Sequence, residues 1–346
     1  MSYIEINKRK IGPDFIPLII AEIGINHGGS LDRAIKIADA AIDAGAEVIK
    51  HQTHVIEDEM SNEAKQIIPG NANESIFDII SKCALSEKDE YKLMSYIMQK
   101  GKIFISTPFS KLAVDRLEKF NVPAYKIGSG ECNNYPLVEY IASKKKPIIL
   151  STGMNNYLSI DIAVEIFEKY NLKYALLHCT NIYPTPFNLV RLKCLPEMQN
   201  RYPNAIIGLS DHTISNYVSY GAIALGASII ERHFTDSKQN IGPDIICSMD
   251  PQDLKEMISV ANIIHQAIGG EKEPLAQEIS TINFAFASVV AIKDIKKGEF
   301  FSESNIWVMR PGNGDFKAAD FKFLIGKIAK LNIAKSEQIK KIYVQD

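Results

Sequence analysis

Ile206-Ile207-Gly208-Leu209-Ser210-Asp211-His212 is an apolar run of strand length that ends in polar, chemically competent residues. Ser228-Ile229-Ile230-Glu231-Arg232-His233 repeats the arrangement and again ends in histidine, with a helical pattern at 215–225 between the two. Worked backwards along the chain, the same unit recurs at 18–24, 47–53, 103–108, 124–129, 147–152 and 174–179; with 205–212 and 228–235 this makes eight. Most of the runs are near-continuously apolar, as expected of parallel strands buried on both faces. Helical patterns at 31–44, 86–100, 111–119 and 158–169 fill other gaps. Ser30, Ser86, Ser110 and Ser215 stand where N-caps are wanted, and Gly45 and Gly101 where a left-handed C-terminal residue is wanted. Eight strand–helix units in about 270 residues predict an α/β fold, a (β/α)8 TIM barrel, whose reactive groups gather at the C-terminal ends of the strands.

Composition narrows the class. The chain has 346 residues, 46% hydrophobic and 23% charged, with Lys+Arg 39 against Asp+Glu 41 and a net charge of −2. A balance this even argues against a nucleic-acid or membrane-surface partner. Cys83, Cys132, Cys179, Cys194 and Cys247 are odd in number and unclustered, as reduced thiols in a reducing compartment would be. Residues 1–12 carry no apolar signal core, and the expected location is cytoplasmic.

After a last helical pattern at 252–268 the rhythm changes. The expected division is a barrel domain over 1–270, a linker over 271–283 and a small domain over 284–346, with short strands at 287–291 and 328–331 and an irregular Arg310-Pro311-Gly312-Asn313-Gly314 segment. The long connection 54–86, with Pro69-Gly70-Asn71-Ala72-Asn73, is a loop of the kind that serves function on a barrel.

The strand ends carry the chemistry. His212 and His233 are candidate ligands of one divalent ion, the alternative being that each hydrogen-bonds a backbone carbonyl. Two imidazoles leave positions open for water and substrate, which suits Lewis-acid catalysis. Lys50 and Lys126 end strands two and four. A lysine in an apolar strand needs an anion, supplied by a phosphate, a carboxylate or a buried glutamate. Thr107, Ser129, Ser151, Thr152, Asn181 and Ser210 form a ring of donors around them. Glu22, Glu131 and Glu231 are acids at strand ends. Glu131, in the Gly128-Ser129-Gly130-Glu131 turn, is placed to move a proton at a phosphate-bearing carbon. His51, His54 and Glu57 mimic metal spacing without a common face, and supporting roles are expected of them. Cys179 reads as a buried thiol.

These residues resemble those of the bacterial sialic acid synthase family. The resemblance is carried by Glu22-Ile23-Gly24-Ile25-Asn26-His27-Gly28-Gly29, Lys50-His51-Gln52-Thr53-His54, Tyr125-Lys126-Ile127-Gly128-Ser129-Gly130-Glu131, Leu150-Ser151-Thr152-Gly153-Met154, His178-Cys179-Thr180-Asn181-Ile182-Tyr183-Pro184, Gly208-Leu209-Ser210-Asp211-His212 and Glu231-Arg232-His233-Phe234. The tail, with Phe284-Ala285-Phe286-Ala287-Ser288 and Arg310-Pro311-Gly312-Asn313-Gly314, resembles the family's antifreeze-like SAF domain.

The resemblance implies an N-acetylneuraminate synthase that condenses phosphoenolpyruvate with N-acetylmannosamine and water, aided by Mn²⁺ or Mg²⁺. Legionaminic or pseudaminic acid synthesis from a diacetamido-trideoxy hexose is the nearest alternative. A non-catalytic saccharide- or ice-binding protein is an alternative of another class, and a metal-dependent aldolase a further one. The resemblance gives the metal to His212 and His233. It gives phosphoenolpyruvate to Lys50, Thr107, Lys126, Ser129, Ser151, Asn181 and Ser210. The sugar falls to Glu22, Gln52, Asn71, Tyr183, Asp244 and Arg310, with Phe284 nearby. Catalytic roles are expected of Glu131, Glu22 and Arg310. It also implies a domain-swapped homodimer in which each small domain caps its partner's barrel.

Overall fold

In a parallel strand whose two faces are both buried, alternate side chains point to different cores, and here the parity decides where the chemistry goes. The computed structural model describes residues 3–69, 73–242 and 244–345. A two-stranded hairpin comes first, β1 (Ile4–Ile6) and β2 (Arg9–Ile11). Eight parallel strands follow: β3 (Leu18–Gly24), β4 (Val48–Thr53), β5 (Ile103–Pro108), β6 (Tyr125–Ile127), β7 (Ile148–Ser151), β8 (Tyr174–Cys179), β9 (Ile206–Ser210) and β10 (Ile229–His233). They close into a barrel in chain order, β10 pairing back onto β3. The expected fold is therefore the observed one. Several expected strands shorten at their ends: 124–129, for instance, keeps only Tyr125–Ile127 before a 3-10 turn at Ser129–Glu131.

One parity of each strand faces the surrounding helices. Ile19, Ala21, Ile23, Ile49, Phe104, Tyr125, Ile127, Ile207, Leu209 and Ile230 belong to the large core shared with those helices. The other parity faces the barrel interior. Its lower half is apolar: Leu18, Ile20, Val48, Ile103, Ile105, Ala124, Ile149, Ala175, Leu177, Ile206 and Ile229 form one cluster with Ile4, Ile6 and Ile11 of the hairpin. The hairpin thus plugs the N-terminal end of the barrel. Its turn, Asn7-Lys8, has φ of 47° and 68°, the left-handed pair that a two-residue hairpin needs.

Ser30, Ser86 and Ser110 cap the helices Leu31–Asp43, Glu87–Gln99 and Lys111–Lys119 as expected, each accepting a bond from a backbone N–H of the first turn. Ser215 does not. Its helix starts later, at Tyr217, with Asn216 at the cap and no side-chain bond, because Asn216 is drawn instead to Asp253 O and to Arg232. Among the described residues no helix is long and apolar enough to cross a membrane.

The chain divides into two compact units, 1–269 and 270–346. The stretch 271–283, expected as linker, is not irregular throughout: it contains a 3-10 turn at Ala276–Glu278 and most of a helix, Ile279–Ala285. The second unit pairs β11 (Ser288–Ala291) with β12 (Ile306–Met309) and β13 (Ile328–Ala329) with β14 (Val344–Gln345). Its core holds Val289, Ile295, Phe301, Ile306, Leu324 and Ile333.

Candidate active site

Continued upward, the inward parity turns polar. It presents Glu22 on β3, Lys50 and Gln52 on β4, Thr107 on β5, Lys126 on β6, Ser151 on β7, Cys179 on β8, Ser210 on β9, and Glu231 and His233 on β10. All of these line one cavity of about 270 Å³ at the C-terminal ends of the strands. Loop residues complete it, among them Phe109, Ser129, Glu131, Met154, Asn181, Tyr183 and His212. Two glycines keep the mouth open. Gly24 has φ +47°, and a Cβ there would stand 2.9 Å from Glu22 Oε1 and 3.5 Å from His233 Nδ1. A Cβ on Gly153 would overlap the Asn181 side chain and crowd Ser129 Oγ, which accepts a bond from the Gly153 N–H at 3.0 Å.

At the cavity's base the two lysines meet glutamates. Lys50 Nζ contacts Glu22 and lies 3.6 Å from Glu231 Oε1, and Lys126 Nζ lies 3.5 Å from the same oxygen. Lys126 also donates to Ser151 Oγ at 2.7 Å and to Ile127 O at 3.0 Å. Burial pushes the Lys50 ammonium down to about 7, with Lys126 adding repulsion and Glu231 opposing both. Burial alone would raise the Glu231 carboxyl, but Lys126 and Lys50 outweigh it and hold it below the usual range. The lysines therefore have buried glutamate partners, one of the expected alternatives. Their ring of hydroxyl and amide neighbours keeps an anion site available beside them.

Glu131 differs from Glu231. Burial, reinforced by the nearby charge of Glu59, raises its carboxyl to about 7, and its Oε2 has no hydrogen-bond partner among the described residues. A carboxyl that titrates near neutrality and faces a cavity suits proton transfer in either direction.

His212 and His233 stand with ring centroids 5.4 Å apart, and Tyr183 packs on His212 with centroids 4.1 Å apart and planes tilted by 31°. His212 Nδ1 donates to Thr180 O at 3.1 Å, which leaves Nε2 with its lone pair. His233 Nδ1 has no hydrogen-bond partner among the described residues and lies 3.6 Å from Asp244 Oδ2. Burial lowers both imidazoles, His212 to about 4 with help from His233, and His233 to about 3 with help from Lys50, so both are neutral at physiological pH. Burial also raises Asp244 to about 6, against the pull of His212 and Lys50. Neutral rings with an available nitrogen fit a divalent ion. Among the described residues no set of three His, Cys, Asp or Glu side chains could hold one, so any protein ligand set is small.

The other expected residues divide. Asn71 lies outside the described residues. Arg310 follows β12, and Phe284 sits on the helix Ile279–Ala285; both are exposed on the second unit. His51 faces away from the cavity, hydrogen-bonding Glu90 at 3.1 Å and His27 at 3.2 Å. Glu57 is exposed, and Glu59, which the spacing did not single out, is the partner of His54 instead. Cys179 lines the cavity, with burial raising its thiol to about 11.

With the geometry in place, the NeuB family profile matches residues 37–273, and that of the SAF domain matches residues 286–341. The chain belongs to the NeuB family. This NeuB chain is 40% identical to the N,N'-diacetyllegionaminic acid synthase of Campylobacter jejuni over 93% of its own length and 98% of the relative's. It is 34% identical to a pseudaminic acid synthase of the same species, over 93% and 95%. Among solved structures, the N-acetylneuraminic acid synthetase of Leptospira borgpetersenii superposes with a TM-score of 0.75 at 30% identity, covering 81% of this chain and 95% of that one.

Proposed function

We propose that this NeuB chain joins phosphoenolpyruvate to an N-acetylated amino sugar and releases phosphate. One observation carries the reading: the inward parity of the barrel and the loops at its C-terminal end bring two lysines, a ring of hydroxyls, two neutral imidazoles and two differently tuned carboxyls, Glu131 and Glu231, onto a single cavity. Lys50 and Lys126, with Thr107, Ser129, Ser151, Asn181 and Ser210, hold the phosphate and carboxylate of the enol phosphate. His212 and His233 would hold a divalent ion, Mn²⁺ or Mg²⁺, which would supply Lewis acidity toward the acceptor's aldehyde. Glu22, Gln52, Tyr183 and Asp244 face the acceptor, and the resemblance assigns Asn71, outside the described residues, to the same substrate.

C3 of the enol phosphate forms the new C–C bond to the aldehyde carbon, and positive charge grows at C2 beside the Glu231 carboxylate. Water adds at C2; one of its protons balances the one taken up by the former aldehyde oxygen, which becomes a hydroxyl. The tetrahedral hemiketal phosphate then breaks its C–O bond, the hemiketal hydroxyl losing its proton to give the ketone while the phosphate leaves with a proton. Glu131 takes the proton from the water or gives one to the leaving phosphate; its place near neutrality supports either direction.

The acceptor expected from the motifs is N-acetylmannosamine. The 40% identity to a legionaminic acid synthase favours a diacetamido-trideoxy hexose. Phosphate release measured with each acceptor decides between them through kcat/KM. Release with either one, abolished by a chelator and restored by Mn²⁺, is the expected result. No release with any amino sugar overturns the reading, and full turnover by a demonstrably metal-free enzyme overturns the metal's role. The proposal extends to a cytoplasmic, domain-swapped homodimer in which Arg310, exposed on its own unit, serves the partner's acceptor. Heterodimers of an Arg310→Ala chain with a Glu131→Ala chain, each dead alone, then regain activity; confirmed heterodimers that stay dead exclude the arrangement.

A further inference from the structure

Two histidines of β4's neighbourhood, His51 and His54, are both buried and both placed between two partners, yet their hydrogen bonds impose different proton counts. In the His51 chain, Gly29 N–H donates to His27 Nδ1 at 3.1 Å, so His27 carries its proton on Nε2 and gives it to His51 Nε2 at 3.2 Å. His51 then donates from Nδ1 to Glu90 at 3.1 Å. Every contact is satisfied with both rings neutral.

His54 has no such solution. Its Nδ1 lies 2.8 Å from Glu59 Oε2, and its Nε2 lies 3.2 Å from Gln52 Oε1. Gln52 cannot turn its amide around, because its Nε2 already donates to Glu22 Oε1 at 2.9 Å. Both partners of the ring are acceptors, so both ring nitrogens must donate. Burial at 2% side-chain exposure opposes the resulting cation, and two contacts offset that cost: the Glu59 carboxylate, and the face of Phe109, on which the imidazole is stacked with centroids 4.4 Å apart and planes 11° apart.

We propose that His54, protonated on both ring nitrogens and anchored by Glu59, is a positioning residue that locks the Gln52 amide with its NH₂ toward Glu22 and the acceptor sugar. The inference rests on the reading above that Gln52 faces the acceptor. A ring bare on Nε2 would set its lone pair against Gln52 Oε1 and push the amide away from Glu22 and the acceptor. His54 does not touch substrate; it fixes a donor direction through one intervening side chain.

The test separates positioning from folding. His54→Phe keeps a flat ring on Phe109 but removes the donor; a hydrogen bond to a charged group predicts a rise in acceptor KM of about tenfold or more. The KM for phosphoenolpyruvate and the kcat stay within about twofold. His54→Gln, which still donates to Gln52, keeps acceptor KM near wild type. In a Gln52→Leu background, adding His54→Phe changes acceptor KM no further. Independently of turnover, nitrogen-15 NMR of the metal-loaded wild-type enzyme shows protons on both ring nitrogens of the signal lost in His54→Phe. A bare ring nitrogen, additive KM changes, or a His54→Gln variant as impaired as His54→Phe overturns the inference. Failure of the wild type to release phosphate with any acceptor overturns instead the reading it rests on, while the NMR result still decides the proton count.

Discussion

The two ends of the barrel are made by the same strands, on the same inward parity, and differ only in what that parity carries. At the N-terminal end it carries Leu18, Ile20, Val48, Ile103 and Ile229, sealed by Ile4, Ile6 and Ile11. At the C-terminal end it carries Glu22, Lys50, Thr107, Lys126 and Glu231. One end gains stability by burying apolar area; the other buries charges whose desolvation is offset by one another and by a few hydrogen bonds. Position along the strand, and not fold, separates stability from reactivity.

The sharpest way to break that contrast is at the top. Glu131→Gln keeps the shape and should cut kcat by about 10²–10⁴-fold while leaving phosphoenolpyruvate affinity nearly intact and thermal stability no lower than wild type; steady-state kinetics beside calorimetry check it. Near-normal turnover would make Glu131 a structural residue. At the bottom the pattern should invert. Ile6→Ala should destabilise by about 2–5 kcal/mol in denaturant unfolding with kcat close to wild type. A variant that unfolds no earlier but loses activity would mean that the floor is coupled to the site.

The pH dependence sharpens the same comparison. With its carboxyl raised to about 7, Glu131 binds a proton more tightly folded than unfolded. Wild-type stability should therefore fall as pH rises from about 4.5 to about 7, relative to Glu131→Gln, by up to ~1.4 kcal/mol per pH unit and then level off. Parallel stability curves for the two proteins would contradict the burial argument. The smallest effect lies outside both ends: Ser86→Ala removes a cap from Glu87–Gln99 and should cost about 1 kcal/mol with unchanged kinetics, measured by unfolding.

The barrel was legible in the sequence because each strand is an apolar run with a polar end, a signal that needs no tertiary context. The N-terminal hairpin was not. Its strands are three residues each, and its turn is Asn7-Lys8, without the glycine that usually marks such a turn. Lys50 and Lys126 were legible as charges out of place, but which anion they meet depends on Glu22 and Glu231, strands away in the closed sheet. Glu59 escaped because it comes back to His54 through the short helix Ile56–Glu59, a contact of five residues' separation that no regular spacing announces.

A hairpin across the barrel floor also makes the cavity a cul-de-sac. With Ile6 and Ile11 at 1% and 0% exposure below, everything enters and leaves by one mouth. Whatever rests on Lys50 and Lys126, each no more than 3% exposed, lies deeper than whatever rests beside Met154, which is 71% exposed, and the plug denies it a back door.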